Sequence, residues 1–308
     1  MTKLPRFIFH SGFPKSGSTS VQVSLCKSDV NYLGFYPMPK NENFYKTNDL
    51  SFFLEQVVRF GTTKSFDVNK NSIRDFLEEE LRNSSKDVIL SNENIVGRVT
   101  PFDLPNEIKI ARAIYILPKD SIILFGIREL DGLLFSYYKL LLSNGYGEDI
   151  DYFFSEIAAL EKAFGIIDNF RIKDIIDYIK NVRPDISTRV FDISSQNSTN
   201  NVFNDIGISL IKNIENKSFK LNNLNYHLNL NHSFYPGKRF LDWFEIHRVF
   251  PKSNFKDDSK YRLSRSRHLH NSVSNLDFLK EIDNSYRLFQ EKLPKIVYEI
   301  STENMSYL

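Results

Sequence analysis

Cysteine is nearly absent from this chain. Of its 308 residues only Cys26 carries a thiol, which excludes an intrachain disulfide framework and is typical of a reducing compartment. Long apolar runs are also missing: the longest candidate, from Ile110 to Ile127, is interrupted by charged residues and a proline, so it falls short of the roughly 18 apolar residues of a membrane span. The stretch from Met1 to Arg6 holds no hydrophobic signal core. We therefore expect a cytoplasmic protein without an integral membrane segment.

An excess of charge of one sign is absent as well. The 40 Lys and Arg residues nearly balance the 38 Asp and Glu residues, and the net charge of +2 implies no general affinity for polyanions such as nucleic acids. The apolar share of 41% is enough to build the core of one large domain or two modest ones. We predict a single domain over residues 1–308. The part of this domain that carries the predicted ligand site would run from about 5 to 195, and a region of helices and loops would follow from about 196 to 308.

The first informative segment lies near the start, between Phe7 and Gln22. It consists of an apolar run, a loop of small residues with one lysine inside it, three hydroxyls directly after the loop, and a stretch that can continue as a helix. In a strand–loop–helix of this kind the backbone N–H groups of the loop point at a bound anion, and the helix N-terminus adds about half a positive charge. The segment predicts a site for phosphate or sulfate. The alternative is an ordinary Gly/Ser turn between a strand and a helix.

The place of the lysine indicates which anion is bound. In the nucleotide-triphosphate loop, G-x-x-x-x-G-K-S/T, the lysine follows the second glycine directly. Gly12 and Gly17 have this spacing, but Ser18 stands in the lysine position and the lysine is Lys15. The string P-K-S-G-S-T-S instead resembles the loop with which sulfotransferases hold the 5′-phosphosulfate of PAPS (3′-phosphoadenosine 5′-phosphosulfate). With the wider pattern H-x-G-x-P-K-S-G-S-T-S-x-Q and the following L-G-F-Y-P, it is similar to the bacterial carbohydrate-type branch of that family.

This resemblance implies roles for the loop residues. Lys15 would lie beside the oxygen that bridges sulfur and phosphorus, and would serve both catalysis and donor binding. Backbone N–H groups and hydroxyls of the next five residues would surround the 5′-phosphate. These residues are Ser16, Gly17, Ser18, Thr19 and Ser20.

A second motif follows an apolar run. Ser121–Ile127 is typical of a parallel strand buried on both faces, and it ends at Arg128, with Ser136 eight positions later. The arrangement is similar to the family's 3′-phosphate element, in which a strand-end arginine offers a bidentate fork to phosphate. Glu129 and Leu130 stand where asparagine and proline are common in the family. The resemblance implies that Arg128 and Ser136 bind the 3′-phosphate, and a surface arginine is the alternative.

A third fragment supplies a candidate general base. Asp87–Asn94 predicts a short strand that runs into a polar turn, and it resembles the S/N-x-E element of carbohydrate sulfotransferases. Sulfuryl transfer needs a base that removes the proton of the acceptor hydroxyl, and a carboxylate at the carboxyl end of a strand is well placed for this. Glu93 is the first candidate, and His10, at the end of the first predicted strand, is the second. Structural alternatives are a solvated or substrate-binding Glu93 and a His10 that makes structural hydrogen bonds.

Strands and helices alternate along the chain, which predicts an α/β fold: a P-loop-like three-layer sandwich with a central parallel sheet flanked by helices. The predicted strands are Arg6–His10, Val88–Ser91, Ser121–Ile127 and Ser187–Phe191. The predicted helices are Ser18–Lys27, Asn71–Asn83, Asn106–Leu117, Leu130–Leu142, Tyr152–Phe164, Lys173–Asn181, a segment between Val202 and Ile211, and Ser274–Leu293. Because a parallel sheet binds ligands beyond the carboxyl ends of its strands, we expect Lys15, Glu93 and Arg128 to meet at one edge.

The last third of the chain holds one basic cluster, Lys260–His270. Many sulfotransferases bring a basic loop near the carboxyl end over the 3′-phosphate, so the resemblance implies this role for Arg265 and Arg267. The glycine-rich form of that loop is not present here. A solvated charged turn and a contact with an acidic glycan are the alternatives.

The combined expectation is a sulfotransferase that moves a sulfuryl group from PAPS to a hydroxyl, without a metal. The resemblance favours a carbohydrate acceptor on a cell-surface glycan or glycolipid. Two alternatives remain at this point: a P-loop kinase or other nucleotide-dependent transferase, and a non-catalytic glycan-binding protein on the same fold. The acceptor's identity, peripheral contact with a membrane and the oligomeric state are open.

Overall fold

The computed structural model describes residues 4–13, 18–34, 50, 54–96, 104–143, 150–164, 170–211 and 295–308. The chain groups into two compact units. The first comprises Met1–Glu129, Ile166–Asn216 and Glu299–Leu308, and the second comprises Leu130–Gly165 and Lys217–Tyr298. The single domain expected from the sequence stays a prediction.

The first unit is built on a five-stranded sheet in which every neighbouring pair of strands is parallel. Its strands are β1 (Phe7–Gly12), β2 (Asn31–Tyr32), β3 (Val88–Ser91), β4 (Ile122–Ile127) and β5 (Ser187–Asp192). Their order across the sheet is β2-β3-β1-β4-β5, so β1 is the central strand.

The described residues also form helices. They are α1 (Ser18–Lys27), α2 (Thr63–Asn83), α3 (Asn106–Ile116), α4 (Leu130–Ser143), α5 (Ile150–Phe164), α6 (Ile172–Val182), α7 (Gln196–Asp205) and α8 (Lys295–Met305). Of these, α1 to α6 lie between strands along the chain, and α7 and α8 follow β5. Two shorter segments are a π-helical turn, Leu54–Arg59, and a 3₁₀ turn, Glu93–Ile95, called the Glu93 turn below. None of the helices in the described ranges is both long enough and apolar enough to cross a membrane.

The direction of the crossovers places helices on both faces of the sheet. Crossovers between parallel strands are right-handed, and β1–β2 runs toward one edge while the next three connections run toward the other. This puts α1 on one face and α2, α3 and α6 on the opposite face. The packing agrees, because Leu25 of α1 and Phe203 of α7 share a buried cluster with Ile8 and Phe191 of the sheet, whereas α3 contacts α2 and α6. The predicted α/β fold with a helix-flanked parallel sheet is confirmed.

Some predicted bounds of strands and helices are confirmed, and one bound that was wrong changes the position of a candidate site residue. The bounds of α1 and β3 are those predicted. The first strand, predicted as Arg6–His10, was wrong at both ends, since it begins at Phe7 and continues to Gly12. His10 therefore lies inside the strand and not at its end.

Two helices begin earlier than predicted because of their caps. The hydroxyl of Thr62 accepts from the backbone N–H of Ser65 at 3.1 Å, so α2 starts eight residues before the predicted Asn71. At α7, the Ser195 hydroxyl accepts from a backbone N–H, and Gly207, with φ of 76°, follows the last turn. The predicted segment from Val202 to Ile211 was thus placed too late.

Gly12 is a point of close approach between β1 and β4. A Cβ at Gly12 would lie 2.6 Å from the carbonyl oxygen of Gly126, a backbone atom that cannot move without its strand. We expect Gly12→Ala to lower the free energy of unfolding by about 1–3 kcal/mol, measured by urea denaturation. Gly126→Ala is the matched control, since its Cβ would meet side-chain atoms of Ile193 and Phe191 at 3.1 Å. An equal or smaller loss at Gly12 would contradict this assignment.

The second unit contains α4 and α5, which contact each other through aromatic rings. The ring centroids of Tyr138 and Phe153 are 5.0 Å apart, and Phe153 is fully buried. Ser136, the predicted 3′-phosphate ligand, lies in α4 and is half-buried.

Candidate functional site

Candidate site residues lie at or after the carboxyl ends of three neighbouring strands, β3, β1 and β4. In the parallel register His10 of β1 is level with Ser91 of β3, and Gly12 of β1 is level with Gly126 of β4. The carboxyl ends of β3, β1 and β4 therefore lie side by side, about 4.8 Å apart from strand to strand. Glu93 follows β3 and Arg128 follows β4, so these two residues leave the sheet on opposite sides of β1.

The predicted anion loop is described only at its two ends. Phe13 is 1% exposed and its ring meets that of Phe170 edge to face, with centroids 4.9 Å apart. On the other side α1 begins at Ser18, and its first turn includes Thr19 and Ser20. Lys15, Ser16 and Gly17 lie outside the described residues, so their roles stay predictions.

Ser18 contacts Glu93 directly. The Ser18 hydroxyl donates a hydrogen bond to Oε2 of Glu93, linking the start of α1 to the Glu93 turn. Ser18 is buried and Glu93 is half-buried. A carboxylate at a helix N-terminus is stabilised by the positive end of the helix dipole. Two predicted site residues, 75 positions apart, are thus brought together.

The approach to Glu93 is held by β1. The backbone N–H of Asn92 donates to the carbonyl oxygen of His10 at 3.0 Å, and the Ser11 hydroxyl donates to the carbonyl oxygen of Asn92 at 3.1 Å. Just beyond, Ile95 and Val96 are buried and anchor the end of the turn. The backbone is therefore held by hydrogen bonds to β1 just before Glu93 and by the buried side chains of Ile95 and Val96 just after it.

A buried arginine supports the same turn from α3. Arg112 donates to the carbonyl oxygens of Val57, Val58 and Gly61 at 3.2, 3.3 and 2.7 Å. These carbonyls belong to the end of the π-helical turn and the residues after it, and the π-helical turn packs against the Glu93 turn. Burial lowers the pKa of Arg112, but three carbonyl acceptors and the Phe66 ring stabilise its charge.

His10 occupies a structural position. It is 1% exposed, its Nδ1 is hydrogen-bonded to Ser91 Oγ at 2.8 Å, and its ring stacks on Phe191 at 5.9 Å between centroids. Complete burial lowers the pKa of His10 from 6.5 to about 4, so the imidazole is neutral at pH 7. These observations favour the structural alternative over the role of second candidate base.

This burial makes a pH-dependent contribution to stability. Because the pKa of His10 is lower in the folded chain than in the unfolded chain, the unfolded chain binds a proton at His10 below about pH 6.5 that the folded chain does not bind. The contribution of His10 to the free energy of unfolding is complete above pH 6.5. It decreases by about 3 kcal/mol in all as the pH falls to about 4. Urea unfolding of the native chain and of His10→Asn between pH 4 and 7.5 should show a flatter profile for the variant. Parallel profiles would contradict the assignment.

Arg128 begins the connection that leaves β4, and it is half-buried. Ser136 belongs to the second unit, so its predicted place at the same phosphate stays a prediction. Arg265 and Arg267 lie outside the described residues, as does the predicted helix Ser274–Leu293. Among the described residues no group of three or more His, Cys, Asp or Glu side chains is placed to hold a metal ion. The expectation that the transfer from PAPS requires no metal stays a prediction.

Sequence reasoning assigned no role to four residues with contacts near Glu93, namely Ser11, Gln22, Ser91 and Asn92. Gln22 was visible as the last residue of the loop pattern, but nothing in the pattern assigned it a role. In the structure its side-chain amide donates to Ser91 Oγ at 3.2 Å. The spacing of four residues between Ser18 and Gln22, which places both on one side of a helix, was the available signal.

Comparison of the chain with protein-family models, with curated proteins and with solved structures finds no match in any of the three. The function is therefore inferred from the residues and their geometry.

Proposed function

We propose that this protein is a PAPS-dependent sulfotransferase that transfers a sulfuryl group to a hydroxyl, with a carbohydrate of a cell-surface glycan or glycolipid as acceptor. The observation that carries the proposal is the meeting of separate motif fragments at one edge of one sheet. Ser18, from the predicted donor loop, is hydrogen-bonded to Glu93, the predicted base, and Arg128 follows the strand on the other side of β1.

The topology of the sheet supports a ligand at this edge. The connection after β1 runs toward β2, whereas the connection after β4 runs toward β5 on the other side. Open parallel sheets bind ligands where neighbouring connections diverge in this way. An anion there would meet the N-terminus of α1 and the guanidinium of Arg128, two sources of positive charge suited to the two phosphate-bearing ends of the donor.

The chemistry assigned to the site is in-line transfer, by analogy with phosphoryl transfer. The acceptor oxygen forms a bond to sulfur, and its proton passes to the Glu93 carboxylate. The bond between sulfur and the bridging oxygen breaks, and adenosine 3′,5′-bisphosphate leaves. Lys15 stabilises the negative charge that develops on the bridging oxygen.

Two measurements test the proposal. Calorimetry with adenosine 3′,5′-bisphosphate should show saturable binding, and ADP, which lacks the 3′-phosphate, is the matched control ligand. Incubation with ³⁵S-labelled PAPS, EDTA and a bacterial cell-envelope extract should label a glycan. No uptake of the bisphosphate would overturn the donor assignment. Binding without labelling of any acceptor would favour a non-catalytic protein, and activity that requires Mg²⁺ and a nucleoside triphosphate would favour a kinase.

A further inference from the structure

Two side-chain hydrogen bonds join α1 to the end of β3. The first runs from the Ser18 hydroxyl to Glu93, and the second from the Gln22 amide to the Ser91 hydroxyl at 3.2 Å. Ser18 and Gln22 are four residues apart on α1 and so lie on one side of the helix. Ser91 is the last residue of β3, two positions before Glu93. The two bonds, called the outer and the inner rung below, run side by side from α1 to the Glu93 turn and to the end of β3.

The inner rung is buried and has a third member. Gln22 is 6% exposed and Ser91 is 1% exposed, and Ser91 Oγ is also hydrogen-bonded to Nδ1 of His10. The Ser91 hydroxyl is thus held from α1 and from β1 at once. Because this rung lies out of water, solvent does not compete for its hydrogen bonds, which favours one well-defined geometry.

Packing alone does not account for Gln22. An apolar side chain of similar volume would fill the same space without the cost of removing an amide from water. What the amide adds is a directed bond to the strand that leads into Glu93. This bond fixes the position of α1, which begins directly after the predicted donor loop, relative to Glu93, the predicted base.

We propose that Gln22 is a positioning residue for sulfuryl transfer: through Ser91 it fixes α1, and with it the bound donor, relative to the Glu93 carboxylate. This inference rests on the proposed function. A positioning residue of this kind acts on the reaction step and leaves donor affinity nearly unchanged, because a small misplacement of a reacting group lowers rate much more than binding.

The test uses Gln22→Met, which keeps the volume and removes the amide, in the native chain and in a Glu93→Gln background. Ser24→Ala is the matched control, because Ser24 is also buried on α1 but is not part of either rung. The rate of ³⁵S transfer from saturating PAPS to the envelope extract and the Kd for adenosine 3′,5′-bisphosphate are measured for each. Ser91→Ala, which removes the hydroxyl that Gln22 and His10 share, is the second variant if Gln22→Met does not fold.

In the native chain Gln22→Met should slow transfer about 10- to 100-fold and change the bisphosphate Kd less than about threefold. In the Glu93→Gln background it should slow transfer no more than about twofold, because the group it positions is no longer a base. An equal loss in both backgrounds, or a parallel loss of binding, would overturn the inference and leave the proposed function intact. If the native chain binds no bisphosphate, the proposed function itself fails and the inference fails with it.

Discussion

Glu93→Gln should slow sulfuryl transfer by about 10²- to 10⁴-fold, the usual contribution of a general base. The amide oxygen of glutamine can still accept the hydrogen bond from the Ser18 hydroxyl, so the link between α1 and the Glu93 turn is retained. Removal of a negative charge beside an anion site should leave affinity for adenosine 3′,5′-bisphosphate unchanged or slightly higher. The transfer rate with ³⁵S-labelled PAPS and the Kd from calorimetry measure the two effects separately.

Glu129→Gln provides the matched control for Glu93. Glu129 is exposed and follows β4 at the same edge of the sheet, so its replacement removes the same charge without touching the Ser18 contact. The control should retain nearly full transfer activity. If Glu93→Gln were also nearly fully active, Glu93 would be a structural partner of α1 and the base would have to be sought elsewhere.

The second large effect is expected at Lys15. Loss of a preorganised donor at a developing negative charge costs roughly 3–4 kcal/mol in other enzymes, or about 10²- to 10³-fold in rate. Lys15→Ala should therefore lower turnover far more than it weakens binding of the bisphosphate product, in which no bond to sulfur remains. Single-turnover transfer and product calorimetry on the same preparations measure the difference.

Lys27→Ala is the control for Lys15. It removes the same charge at the far end of α1, about 14 Å along the helix from Ser18. Its effects on transfer and on the Kd should both be small. Equal losses of turnover and of product binding in Lys15→Ala would mean that the lysine serves binding alone.

The sequence was a good guide where an apolar run had polar segments on both sides. Val88–Ser91 is wholly apolar up to its last residue, and it follows and precedes polar segments, so its bounds could be predicted from composition alone. β2 could not be predicted, because a strand of two residues has no period. It is defined by backbone bonds to β3, in which Asn31 N–H donates to Asp87 and Leu33 N–H donates to Ile89.

The candidate site was predictable in outline. The rule that ligands lie beyond the carboxyl ends of parallel strands was enough to place Glu93 and Arg128 on one edge. The rule does not show which side chains bond to one another. The bond from Ser18 to Glu93 and the bond from Gln22 to Ser91 join residues 75 and 69 positions apart, and they depend on how α1 is seated on the sheet.

His10 shows the reverse case. A histidine at a predicted strand end suggested chemistry, but the strand continues for two residues, so His10 is an interior residue of the central strand and its ring contacts Phe191 and Phe203. The difference came from a strand boundary, which local sequence determines less well than the existence of the strand.

Helix α8 has a consequence for how the chain is made. Asn304 is buried, and its side chain accepts from the backbone N–H of Ile172 at 2.9 Å and donates to the carbonyl oxygen of Phe170 at 2.8 Å, so it caps α6 from 132 positions away. Phe170 in turn contacts Phe13, at the entrance to the predicted donor loop. A ribosome adding roughly 5–20 residues per second needs on the order of ten seconds to travel that distance. During this interval the backbone N–H of Ile172 and the carbonyl oxygen of Phe170 lack this partner, so the N-terminus of α6 reaches its final contacts only after Asn304 has been made.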